Sequence, residues 1–136
     1  MSQKGLFERL GAPLVNARWS WGAIRATDRA VFLRVWQDEI RRIDARLFMR
    51  ITANEYFQNN DPTDLGWQER LRHVALLRAG AVSYMIMCVA RDVNAIPREV
   101  QSFNRDEVFQ GGQLIDLDGD TWLELGGRVR VRDVQP

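Results

Sequence analysis

The end of the chain constrains the fold most. Gln113–Leu117 and Asp120–Leu125 flank Asp118-Gly119, and Gly126-Gly127 separates the second of them from Arg128–Asp133. Two-residue connections of these types suit primed hairpin turns, whose central residues need positive φ and whose twist matches the flanking strands. The pattern predicts a three-stranded antiparallel meander. Strand patterns also precede it. Arg18–Ile24 places Trp19, Trp21 and Ala23 on one alternation. Ala30–Trp36 sets Val31, Leu33 and Val35 against Phe32, Arg34 and Trp36. Ala45–Thr52 sets Leu47, Met49 and Ile51 against Arg46, Phe48 and Arg50. Gln37–Asp44 is polar and reads as a loop or a short helical turn.

One long helix is predicted over Gly66–Gly80. Thr63 or Asp64 serves as its N-cap, and Trp67, Leu71, Val74 and Ala75 form an apolar stripe about 100° wide. Ala81–Ala90 is apolar on both alternations, which predicts a central, covered strand. Glu99–Phe103 reads as a short strand and Gly5–Leu10 as a short N-terminal helix. The cluster Asn59–Asp64 reads as a loop within one domain. Because strands do not alternate regularly with helices, a parallel doubly wound sheet is disfavoured. The expectation is a single α+β domain over residues 1–136: a small, mostly antiparallel, partly closed β-barrel of about seven strands, with one long and one or two short flanking helices.

Residue counts exclude several chemistries. One cysteine rules out an internal disulfide scaffold. The single histidine, His73, rules out zinc sites and nuclease centres that need two. The only lysine, Lys4, lies near a terminus, which argues against a lysine-dependent active site. Nothing at the start resembles a secretory signal, and the uncharged stretch Ala79–Ala90 is shorter than the roughly 20 residues a membrane helix needs. A reduced, cytoplasmic setting without a membrane partner is the expectation.

Charge is uneven. Residues 1–91 hold 14 basic and 9 acidic side chains, whereas residues 92–136 hold 5 and 9. The first part suits an anionic partner and the end does not. Eighteen of the 19 basic residues are arginine. Genomic base composition accounts for that bias without any functional purpose, although arginine also suits bidentate phosphate and base contacts.

Most motifs dissolve on inspection. Asp116, Asp118 and Asp120 have the alternate spacing of calcium ligands, but the sixth and twelfth loop positions are Thr121 and Gly127, not Gly and Glu. No metal or cofactor is expected. Cys88 belongs to the most apolar strand and reads as inert core. The glycine pairs fit neither phosphate-loop nor dinucleotide spacing. His73 follows Glu69 by one helical turn, so the carboxylate could orient the imidazole.

The tryptophans stand apart. Trp19, Trp21 and Trp36 fall among Asn16, Arg18, Ser20, Arg34 and Asp38. An indole face can stack on a nucleobase, and a base removed from its stack needs polar groups at its edge. Asn16, Ser20 and Asp38 are such groups. Arg18, Arg34, Arg41, Arg42, Arg46 and Arg50 can meet phosphates. The competing reading is that the tryptophans are core.

The segments Asn16–Ala23 and Val31–Glu39 resemble segments of bacterial modification-dependent restriction proteins, and the organisation resembles the PUA-like superfamily, with its EVE, ASCH, YTH and SRA domains. That resemblance implies a small β-barrel holding a modified base in an aromatic-lined pocket, with Trp19, Trp21 and Trp36 as walls and Asn16, Ser20 and Asp38 reading the polar edge. The chain contains no nuclease centre, so the resemblance implies a reader without a cutter, in a bacterial or phage defence context. Its partner would be nucleic acid carrying a modified base, DNA in preference to RNA, with a separate nuclease or effector chain. Two alternatives stand beside it. One is a small nucleoside-directed enzyme of ASCH type, using Asp38, Glu39 or His73 as acid or base. The other is a protein-interaction accessory domain.

Overall fold

A computed structural model describes Met1–Pro136. The chain is α+β, with four helices and an eight-stranded, mostly antiparallel sheet that does not close. Helix α1 (Gln3–Arg9) starts at Ser2, whose hydroxyl accepts from Gly5 N. Strands β1 (Gly22–Ile24), β2 (Val31–Trp36), β3 (Ile40–Ile43) and β4 (Arg46–Arg50) follow. Next come α2 (Asn54–Asn60), α3 (Leu65–Arg78), β5 (Ser83–Ala90) and β6 (Val100–Phe103). The chain ends with β7 (Glu107–Leu117), β8 (Asp120–Arg130) and α4 (Val131–Val134).

The strand order is β1-β2-β5-β7-β8-β4-β3, with β6 also paired to β5. Only β2 and β5 run parallel. Alternation along β2 sends its residues into two apolar layers. Phe32 packs with Leu6, Phe7, Ile86, Val131 and Val134 beneath α1 and α4. Val31, Leu33 and Val35 pack with Met49, Met85, Leu123, Val74 and Leu77 beneath α3. Arg25 fastens the first layer: its guanidinium donates to the carbonyls of Leu10 and Val134 and pairs with Asp28.

The central strand, the short β6, the N-terminal helix and the Asp64 cap occur as expected. Asp64 accepts from Trp67 N at 2.9 Å. The Asp118-Gly119 turn also forms, with φ of 53° and 81°. The second turn of the expected meander does not. β8 runs unbroken through Gly126-Gly127, neither of which has positive φ, and its far end pairs with Glu107–Phe109. The glycines instead mark an irregular stretch of the ribbon: a Cβ on Gly126 would lie 2.7 Å from Gln110 O.

Three further expectations are corrected. Gln37–Asp44 contains β3, which turns into β4 through Asp44-Ala45, both at positive φ. As a largely exposed strand at the edge of the sheet, it carries arginines instead of an apolar face. Asn59 and Asn60 end α2 and are not loop. The strand expected over Arg18–Ile24 shrinks to Gly22–Ile24, because residues 16–20 form a turn closed by Ser20 N donating to Asn16 O at 2.9 Å. No helix is long and apolar enough to cross a membrane.

Candidate functional site

Helix α3 does not bury the stripe its apolar residues outline. Leu71 is 37% exposed and Ala75 is exposed, whereas Gly66, Glu69, Arg70 and His73 are buried along with Trp67, Val74 and Leu77. Charged groups enter an interior only when partners compensate their lost hydration, and here the backbone supplies those partners. Arg70 donates to Ile51 O at 2.7 Å, Trp21 O at 2.8 Å and Arg34 O at 2.8 Å. One guanidinium thus ties the end of β4 to the start of β1 and to β2 across the opening of the sheet. Burial, with Arg34 nearby, lowers the Arg70 pKa to about 9.

Glu69 accepts from Ser20 Oγ at 2.8 Å, Trp21 N at 2.8 Å and Gly22 N at 3.3 Å. These donors are directed to the helix and not to a neighbouring strand, which accounts for the shortness of β1. The carboxylate therefore shapes the Asn16–Gly22 segment and does not orient His73. Gly66 lets that segment approach: a Cβ there would collide with Trp21 Nε1 and lie 2.5 Å from Trp19 O.

The residues expected to grip a base form two groups. In the first, Ser20 Oγ accepts from Asn16 N at 3.1 Å and joins Glu69. The Trp21 ring packs 5.3 Å from Phe57, with the Arg70 guanidinium 5.6 Å from its centroid. Phe57 in turn stacks on Trp67. In the second group, the Arg98 guanidinium lies 5.5 Å from the Trp36 ring and holds Asp38 through two bonds of 2.7 and 3.0 Å. Trp19 is half-buried and has no aromatic partner. The three indoles do not stack on one another. Arg34 links the groups, since its N–H donates to Trp21 O at 2.9 Å and it precedes Trp36 by two positions on the same face of β2. Two concavities of about 540 Å³ open elsewhere, one beside Ser83 and Gly111 and the other beside Asn54 and Asp120.

The arginines expected at phosphates also divide. Arg18 and Arg42 are exposed and have no acidic partner. Arg41 pairs with Asp118, Arg46 with Glu124, and Arg50 with Glu39 and Asp120. Arg34 is largely buried, and its Nη1 donates to Gln3 Oε1 at 2.9 Å. Cys88 is buried, and desolvation raises its pKa to about 11.

Sequence reasoning missed Arg70 and the role of Glu69. The signal was present: Gly66, Glu69, Arg70 and His73 follow the i, i+3, i+4, i+7 spacing of a buried helical face, written in polar residues.

Three buried nitrogens in this region have no hydrogen-bond partner: Arg34 Nε, Arg70 Nε and His73 Nδ1. Burial, helped by Arg70 and Arg72, lowers the His73 pKa to about 4, so the imidazole is neutral at pH 7. The unfolded chain then binds more protons than the folded one between the ordinary histidine pKa of about 6.5 and pH 4. Stability is accordingly expected to fall as pH drops through that window, by about 3 kcal/mol in all. The Asp28 carboxyl, held near 2 by Arg25, titrates below the window. Urea unfolding measured across pH 4–7 should show the slope in the wild type and lose most of it in His73→Leu.

The chain matches no family model, no curated protein and no solved structure.

Proposed function

We propose that this chain is a nucleic-acid-binding module that receives one modified base beside Trp21, Arg34 and Trp36. The carrying observation is the set of unpartnered buried nitrogens: Arg34 Nε on the α1 side of β2, between the two tryptophan groups, and Arg70 Nε and His73 Nδ1 on α3. A buried polar group without a partner costs about 1–3 kcal/mol, and folded proteins hold few of them. A polar ring edge would repay that cost, and indole faces suit the ring itself. Exposed Arg18 and Arg72 add unpaired positive charge at the Asn16–Gly22 turn and on α3, and they supply the phosphate contacts in this reading. The guanidinium tie across the open sheet supports the partly closed, PUA-like barrel.

Titration of tryptophan fluorescence with short single-stranded DNA and RNA, carrying plain or modified bases, tests the proposal. Binding is expected to favour one modified base. It should also weaken with salt, with a log–log slope of about 0.7 per phosphate neutralised. Arg18→Glu and Arg72→Glu should each lower that slope by roughly one contact and leave base preference intact. Absence of binding to every probe at low salt defeats the proposal.

A further inference from the structure

We infer that Arg34 is the residue that chooses the base, and that it selects a ring presenting two adjacent acceptors. This inference rests on the binding function proposed above and specifies its ligand. A guanidinium offers two donor forks: Nη1 with Nη2 at the end, and Nε with Nη2 along one side. Gln3 engages Nη1 through its Oε1, while its own Nε2 donates to Cys88 Sγ at 3.3 Å. The glutamine is thereby fixed from both ends of its amide, and it holds the guanidinium in one orientation. Nε is buried without a partner, and no protein acceptor engages Nη2. The side fork is the pair left over.

That fork is flanked by the features a ring needs. Trp36 follows two residues later on the same face, with Arg98 against its ring. Arg70 lies behind, bonded to the Arg34 carbonyl. Glu69 is the buried carboxylate nearby, and it is fully engaged by Ser20, Trp21 and Gly22. Asp38 is paired with Arg98, and Glu39 with Arg98 and Arg50, so the other carboxylates around the site are engaged by arginines as well. Two parallel N–H donors require two neighbouring acceptors in the ring plane. Guanine offers O6 and N7, and cytosine offers O2 and N3. Adenine places its N6 amino donor beside both N1 and N7 and leaves N3 as a single acceptor, and thymine places N3–H between its carbonyls. Arg34 thus accepts cytosine or guanine and rejects adenine and thymine.

The test uses the full chain and single-stranded 9-mers bearing one central base between abasic spacers, with tryptophan fluorescence as readout. Cytosine or guanine should bind about tenfold or more tightly than adenine and thymine. Two arms separate the sources: 7-deazaguanine abolishes the preference if guanine is the ligand, and 3-deazacytosine abolishes it if cytosine is. Arg34→Lys should erase the preference and retain salt-dependent binding, with circular dichroism reporting its fold. If that variant fails to fold, the two deaza probes decide the matter on the wild type. Equal affinity for all four bases, preference for adenine or thymine, or a preference that survives in folded Arg34→Lys overturns the assignment and leaves the binding function standing. No binding to any 9-mer or to longer strands at low salt removes both.

Discussion

Replacing Arg70 by alanine is expected to lower the unfolding free energy by about 3–5 kcal/mol. The side chain is 3% exposed and donates to three carbonyls on three separate segments. Each carbonyl loses a charge-assisted bond; Trp21 O keeps the Arg34 N–H, whereas a buried carbonyl with no second donor becomes an unmet acceptor costing about 1–3 kcal/mol. Relief of repulsion with Arg34 returns part of the loss, which keeps the total below the simple sum. Arg70→Lys is expected to fall between alanine and wild type. A compact ammonium retains the charge but does not reproduce the planar span from Ile51 to Trp21 and Arg34. Urea denaturation at pH 7 measures all three proteins. A loss under about 1 kcal/mol in Arg70→Ala would show that the ends of the sheet hold together without the guanidinium.

What was legible in the sequence follows a physical division. β2, β5 and β4 bury at least one alternation of apolar residues, and burial writes itself into the pattern. The Asp118-Gly119 turn needs positive φ at both positions, and residues tolerant of that conformation mark it. Elements stabilised by polar partners left no such mark. β3, with the sequence Ile-Arg-Arg-Ile, lies at the sheet edge and buries almost nothing. The segment Arg18–Trp21 has strand-like alternation, but Asn16 accepts from the N–H groups of Arg18 and Ser20, and Glu69 from that of Trp21, which leaves none of the three for a ladder. Gly126-Gly127 looks like a turn because composition reports only what a backbone can adopt. Both residues in fact stay within the strand, where the lack of a Cβ on Gly126 allows close approach to Gln110.

The candidate site was half legible for the same reason. Asn16, Ser20 and Trp21 do converge, and Trp36 and Asp38 do share a partner. Yet what organises each group is distant in sequence: Glu69 for the first and Arg98 for the second. A pattern confined to residues 16–38 carries no information about either. Arg34 shows the limit most clearly. As one of many arginines it read as a phosphate contact, and only its burial beside Gln3 and its place between the two groups distinguish it from Arg18 or Arg42.

Glu69 separates geometry from charge in this region. Glu69→Ala removes the acceptor of two backbone N–H groups and of the Ser20 hydroxyl. It also removes the buried anion near Arg34 and Arg70, and is expected to cost about 3–4 kcal/mol. Glu69→Gln behaves differently. Its remaining oxygen still accepts from Trp21 N and Gly22 N, and its amide can donate to Ser20 Oγ, whose hydroxyl serves as either donor or acceptor. The hydrogen bonds largely survive while the compensating charge is lost, so a loss of about 1–2 kcal/mol is expected. That remaining loss should shrink by at least about 0.5 kcal/mol in an Arg34→Gln background, because one guanidinium fewer then needs balancing. Urea unfolding of the two single variants, Arg34→Gln and the double variant forms the cycle. Strict additivity would mean that Glu69 only anchors the Asn16–Gly22 turn. Coupling of the expected sign would mean that its carboxylate also sustains the positive charge on Arg34.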